Sequence, residues 1–197
     1  MATIASNRYI ESPEHERTLW TIGHSTRSLD EFLELLAGYR IQAIADVRRF
    51  PGSRRYPHFA REALAQTLPA HGIAYQWLPK LGGRRRARPD STNVGWRNTS
   101  FRGYADHLDS AEFADGMQEL MMLAALESTA LMCAEALWWR CHRALIADVL
   151  TLRGIEVVHI LDAMHSAVHT YTSPARIVHG KLRYPLLTAD EVRDAKA

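Results

Sequence analysis

Lysine is scarce in this chain: Lys80, Lys181 and Lys196 are the only ones, so its basic side is almost wholly arginine. Cysteine is scarcer still. Cys133 and Cys141 are too few for a disulfide scaffold and default to free thiols in a reducing compartment. No apolar run approaches the length that spans a bilayer. The opening MATIASNRYIESPEHER lacks the apolar core of a secretory signal, so residues 1–17 read as a polar tail and the protein as cytoplasmic. Also missing are G-x-G-x-x-G, a Walker-type loop, G-x-S-x-G and H-E-x-x-H, which argues against the commonest nucleotide-binding and hydrolase designs. The two cysteines have seven residues between them, unlike C-x-x-C, and a metal site of Cys133, Cys141, His142, Glu135 and His24 would match no usual zinc spacing. No metal and no cofactor is therefore expected.

Acids are short in the middle third. Between Arg40 and Arg102 they are only Asp46, Glu62 and Asp90, against a dense series of arginines. Arginine's planar fork suits phosphate and stacks on bases, so this third reads as an anion-binding surface. In residues 48–59, Arg48, Arg49, Arg54 and Arg55 interleave with Phe50, Tyr56 and Phe59, a mix that suits phosphate contacts with base stacking. Residues 79–100, with Arg84, Arg85, Arg86 and Arg88, read as a mobile basic loop.

Hydrophobic residues make up 47% of the chain, enough to bury one real core in 197 residues. Residues 18–197 read as a single three-layer α/β domain, with a mostly parallel sheet of about five strands and flanking helices. The strands are read at 18–22, 41–47, 73–78, 130–133 and 156–161. Helices are expected after Ser28, whose S-x-x-E spacing to Glu31 is a capping box, near 60–68, at 101–108, after Ser110, and after Cys141. Residues 162–187 read as irregular. Thr188 and Glu191 form another capping box, for a C-terminal helix.

If the strands are parallel, their carboxyl ends bring His24-Ser25, Asp46-Arg48, Cys133-Ala134-Glu135 and Cys141-His142-Arg143 to one edge, where open α/β sheets bind ligands. Unpaired polar groups on apolar strands cost about 1–3 kcal/mol each, so this convergence points to function. Asp46 or Glu135 reads as a catalytic carboxylate and His24 as a proton carrier. Arg48, Arg54, Arg55, Arg85 and Arg143 read as anion holders. Cys141, beside His142 at a helix start, is an alternative nucleophile. Cys133 reads as core, and His159 as a satisfied core histidine. Tyr56, Tyr104 and Trp138 are candidates for stacking on an extruded base.

The segments TIGHSTRSLDEFLELL (21–36), DVRRFPGSRRYPHF (46–59), LPKLGGRRR (78–86), FRGYADHL (101–108), LMCAE (131–135) and CHR (141–143) together resemble domain-of-unknown-function family 488, over roughly residues 18–162. The resemblance implies an α/β domain whose motifs cluster at one pocket, and it carries suggested links to nucleic-acid modification or repair. The family's positions fall on His24, Ser25, Asp46, Arg48, Pro51, Ser53, Gly82, Gly83, Tyr104, Cys133, Glu135, Cys141, His142 and Arg143. The expected function is a DNA base-removing hydrolase with nucleic acid as partner. The alternatives are an enzyme on a small anionic metabolite using Cys141, and a non-catalytic nucleic-acid-binding module.

Overall fold

Strand β1 (Thr18–Gly23) lies inside the sheet, with parallel neighbours on both sides. In the computed structural model, which describes residues 18–52 and 54–186, it is followed by α1 (Leu29–Gly38), β2 (Ala43–Asp46), α2 (Arg61–Ala70), β3 (Ala74–Trp77), α3 (Thr99–His107) and α4 (Ala111–Ala124). Then come β4 (Thr129–Cys133), α5 (Arg143–Leu152), β5 (Glu156–Ile160), β6 (Ser166–Val168), β7 (Arg176–Val178) and β8 (Lys181–Arg183). The tail read over 1–17, Ser53 and the capping box of Thr188 and Glu191 lie outside the described residues.

The main sheet has the order β3-β2-β4-β1-β5-β6, parallel throughout except for β6. The helices begin where their caps stand. The Ser28 hydroxyl accepts from the Glu31 amide while the Glu31 carboxylate accepts from the Ser28 amide, closing the capping box. Ser110 caps α4 from one side only, its hydroxyl accepting from the Phe113 amide. Apolar side chains of α1 and α2, among them Phe32, Leu36, Leu64 and Leu68, form one core cluster, and those of α4 and α5, among them Met117, Leu120, Leu145 and Leu150, form another. The result is three layers.

The sheet carries one strand more than expected, and the segment read as irregular holds three short strands. Each is only three residues long, too short for an alternation of polar and apolar residues to register. The β7–β8 hairpin turns through His179 (φ 48°) and Gly180 (φ 72°), both left-handed, as a primed two-residue turn requires. Histidine in the place usually taken by asparagine or aspartate hid it.

Strand order sets the position of the cleft. From β1 the chain crosses to β2 on one side, and from β4 it crosses over β1 to β5 on the other. Neighbouring strands whose connections diverge leave a crevice beyond their carboxyl ends. Here that crevice opens between the segments after Gly23 and Cys133, which pair in register. Gly23 has to be glycine, because a Cβ there would overlap the Glu135 carbonyl.

A buried polar chain crosses the sheet beneath the crevice. Its links are Asp148 to His169 (2.9 Å), His169 to His159 (2.9 Å), His159 to Thr21 (2.7 Å) and Thr21 to Arg143 (3.2 Å). One assignment satisfies every member: Arg143 donates to Thr21, Thr21 to His159 Nδ1, His159 Nε2 to His169 Nδ1, and His169 Nε2 to Asp148. Trp138 lies flat on the His159 ring, 4.1 Å between centroids.

Burial first, then His169 and Arg143, hold the His159 pKa down from 6.5 to about 3. The folded ring stays neutral while the unfolded ring protonates near 6.5, so the unfolded state binds more protons as pH falls between those values. The contribution to stability is whole above about pH 6.5 and declines on acidification. Chemical denaturation should record a loss of about 2 kcal/mol from this group between pH 6.5 and 5. His159→Gln should lower stability at pH 7 and flatten that decline. A slope identical to wild type would refute the assignment.

Candidate active site

Two adjoining depressions, about 360 and 510 Å³, occupy the crevice. Arg48, Phe50, Arg84, Ala134, Glu135 and Arg140 line both, so they form one cleft with a common wall. The smaller hollow continues to Arg49, Phe101, Tyr104, Cys133, Cys141 and His142, and the larger to His24, Ser25, Arg55 and Tyr56. Strand ends, the loop after β2, the 79–100 segment and the loop between β4 and α5 all contribute.

The 134–142 loop is fixed from below. Arg143 is buried, and its guanidinium donates to the carbonyls of Glu135 and Ala136 and to Thr21 Oγ1. Its Nε has no partner, and no carboxylate pairs with it among the described residues. With its backbone clamped, Glu135 holds an exposed side chain against the cleft, and its carboxylate makes no hydrogen bond or ion pair among the described residues.

The smaller hollow has a thiol floor. His142 Nδ1 stands 3.6 Å from Cys141 Sγ and 4.0 Å from Cys133 Sγ. His142 Nε2 donates to the Val47 carbonyl at 3.0 Å, so a neutral ring turns its Nδ1 lone pair to the sulfurs and a charged ring donates to them from Nδ1. The thiols titrate unequally. Burial alone would raise Cys141, but the hydrogen bond from Cys133, with His142 and Arg143 nearby, takes it well below its ordinary value. Donating that hydrogen bond, together with burial, pushes Cys133 up. Cys133, read as core, is buried as expected, but it also faces the cleft beside Cys141.

Asp46 and His24 occupy different places from those expected. Asp46 is fully buried and outside both hollows. Its two oxygens accept from Arg48 Nε (2.8 Å) and Nη2 (2.6 Å), and from Tyr75 Oη (2.7 Å). A carboxylate held in this way positions Arg48 and meets no substrate. His24 donates from Nδ1 to the Ser25 carbonyl (3.0 Å), and its Nε2 accepts from Arg48 Nη1 (3.3 Å). Burial and then Arg48 hold its pKa down to about 4, so the ring is neutral and its basic nitrogen is occupied. It stacks on Phe59, 4.2 Å between centroids, and supports Arg48 without carrying protons. Arg48 itself also donates to the Phe59 carbonyl at 2.8 Å, so little of its fork is left for a ligand.

Three further residues have partners within the fold. Trp138 is committed to His159 and lines neither hollow. Arg85 binds Glu112 through two hydrogen bonds (2.7 and 3.0 Å) and the carbonyls of Gly82 and Lys80, tying its segment to α4. Arg143 is a clamp beneath the cleft. Tyr104 lines the smaller hollow, but its hydroxyl donates to the Leu81 carbonyl and its ring is fully buried. Ser25, Arg55 and Tyr56 stand in the larger hollow, while Arg54 is exposed and outside both. The 79–100 segment, read as a mobile flap, has fixed anchors. Asp106 accepts from the Arg88 amide, Ser91 and Asn93, and the Gly95 amide donates to the Tyr184 carbonyl.

Phe101 and Arg140 line the cleft without a signal in the sequence, and Arg49, Phe50 and Arg84, marked only as members of basic runs, line it with them. Charge alone marks all the arginines equally. Only burial separates those that build the fold from those that face the ligand.

A three-layer α/β protein with an arginine-walled, thiol-floored cleft at its switch point is the class that the fold and site define. The chain belongs to the family described as "Domain of unknown function DUF488", which matches residues 28–150. That span is shorter than the 18–162 expected and leaves out β1 and His24-Ser25. No curated protein and no solved structure matches the chain.

Removing the Asp46 charge strands a buried guanidinium. Asp46→Asn should cost about 3–5 kcal/mol, as loss of one partner of a buried pair does. Urea denaturation at pH 7 measures it. A stable Asp46→Asn protein whose only defect is slow turnover would return Asp46 to the catalytic set.

Proposed function

We propose that this protein is a nucleic-acid-processing enzyme that hydrolyses the glycosidic bond of a damaged or modified DNA base. The observation that carries this reading is the common wall of the cleft, where Arg84 and Arg140 stand beside Phe50 and the unpartnered Glu135 carboxylate. Exposed arginines neutralise phosphates, and aromatic faces accept an unstacked base. Arg55 and Tyr56 continue the wall into the larger hollow, with the guanidinium 5.5 Å from the ring centroid. Two connected hollows suit a strand lying across the mouth with one nucleotide turned inward.

Glu135 is then the catalytic group. Its carboxylate takes a proton from water as the water oxygen bonds to the anomeric carbon. The bond to the base nitrogen breaks, and the proton goes to the departing base. Arg48 is held in place by Asp46 and His24 and offers the wall a fixed positive charge. Arg49 and Arg84 lie near the Phe50 ring, at 5.7 and 6.0 Å, where a phosphate flanking a stacked base can meet both. The absence of any membrane-spanning helix among the described residues, with two free thiols, fits work on DNA in the cytoplasm.

The test is incubation with duplex and single-stranded DNA carrying a panel of modified bases, read as abasic sites. Wild type should release a base. Glu135→Gln should bind DNA as before and lose roughly 100- to 10,000-fold in turnover. Replacing Arg84 or Arg140 with alanine should weaken binding and lower the slope of log affinity against log salt by about one each. DNA that neither binds at low salt nor loses a base would end this reading.

A further inference from the structure

Two thiols and an imidazole meet on the floor of the smaller hollow, and we propose that Cys133, Cys141 and His142 bind one Zn²⁺ there, its fourth position open to the cleft. The two sulfurs and His142 Nδ1 lie within 4.8 Å of one another, and the two sulfur–nitrogen separations are 3.6 and 4.0 Å. A tetrahedral zinc with Zn–S of about 2.3 Å and Zn–N of about 2.0–2.1 Å holds sulfur and imidazole nitrogen roughly 3.5 Å apart. Small side-chain shifts bring the three donors to that spacing.

The imidazole is prepared from behind. His142 Nε2 donates to the Val47 carbonyl, the outer hydrogen bond that zinc-bound imidazoles make, and this turns the Nδ1 lone pair toward the sulfurs. Gly83 covers the imidazole, and a Cβ there would stand 2.8 Å from Nδ1, so glycine keeps the metal's side of the ring clear. Two thiolates cancel the charge of a dication. Arg143, unpaired by any carboxylate among the described residues, then leaves the corner net positive, which suits a hydroxide or a substrate anion at the open position. Among the described residues no fourth histidine, cysteine or carboxylate joins the group. Three protein ligands and a free position are the pattern of a catalytic zinc, whereas structural zinc is closed by four. The open position shares its hollow with Glu135, so a zinc-held water would meet a carboxylate able to take its proton. The metal site does not require that the substrate be DNA.

The test uses the full chain, reduced and stripped with a chelator, then titrated with zinc against a chromophoric chelator and separately with cobalt. One equivalent of zinc should bind and shield both thiols from alkylation, and cobalt should show a sulfur-to-metal charge-transfer band. Cys133→Ser, Cys141→Ser and His142→Ala should each weaken zinc by more than the roughly 10- to 100-fold that loss of an outer-shell partner costs. Gly83→Ala should weaken it without removing a ligand. Circular dichroism checks that each variant is folded. If a serine variant unfolds, thiol protection in the wild type decides. Thiols that alkylate equally fast with and without one equivalent of zinc overturn the site, as does cobalt binding without the charge-transfer band. A reduced protein that releases bases from DNA yet takes up no zinc overturns the metal site alone and leaves the glycosylase reading standing.

Discussion

A guanidinium buried without a carboxylate is the constraint around which this structure is arranged. Arg143 opens α5 beneath the cleft, and its N–H groups reach the carbonyls of Glu135 and Ala136 and the hydroxyl of Thr21. Burying a cation in this way is expensive unless carbonyl and hydroxyl oxygens gather around it. The loop between β4 and α5 must therefore fold back over its own helix start. That return holds Glu135 at the cleft and leaves Cys133 and Cys141, the loop's two ends, beside each other. Gly23 is the matching requirement on β1, since only a residue without a Cβ lets the Glu135 carbonyl come so close.

The arginines divide into two populations with different physics. Arg48 and Arg143 are buried, and apart from Arg143 Nε their donors are committed to a carboxylate, a histidine, the Thr21 hydroxyl and backbone carbonyls. They fix geometry. Arg49, Arg84 and Arg140 are exposed along the cleft. Their charge costs little to keep in water and is free to meet an anion. Arg85 belongs with the builders although it stands between two exposed arginines, because Glu112 and two carbonyls hold it. Neighbouring positions in one basic run thus take opposite roles, decided by which way the backbone presents each.

This division explains which parts of the molecule were legible from the chain alone. The long elements were, because their signals are local. The box of Ser28 and Glu31 starts α1, Ser110 starts α4, and the apolar runs at 43–46 and 129–133 are interior strands. The meeting of His24, Glu135, Cys141 and His142 at one edge followed from parallel strands and right-handed crossovers. The roles of Asp46, Trp138 and Arg85 did not follow. Trp138 and Arg85 are settled by His159 and Glu112, distant in sequence, and Asp46 by Tyr75 together with its near neighbour Arg48; long-range pairing leaves no periodicity to read, and a nearby pair alone does not tell a structural carboxylate from a catalytic one. Cys133 shows the same limit from the other side. Its apolar strand marks it as core, and only the fold-back of the following loop sets it against Cys141.

The polar chain under the sheet gives the cleft a rigid foundation that packing alone would not. Thr21, in the interior strand β1, accepts from Arg143 and passes the hydrogen-bond direction to His159, which the Trp138 ring covers. From there the chain runs through His169 to Asp148, which also accepts from Thr172 and Tyr184. The chain leaves α5 at Asp148 and returns to it at Arg143 by way of β5 and β1, so shifting one of them leaves a buried donor or acceptor unpaired, at about 1–3 kcal/mol each. A cleft whose clamp is anchored in such a network resists the ångström-scale drift that catalytic positioning cannot tolerate. The segment from Ser166 to Tyr184, with short strands and no residue in the cleft, therefore still bears on function. Through Asp148 and His169 it holds the histidine that orients Thr21, and through Thr21 the arginine that sets the Glu135 loop.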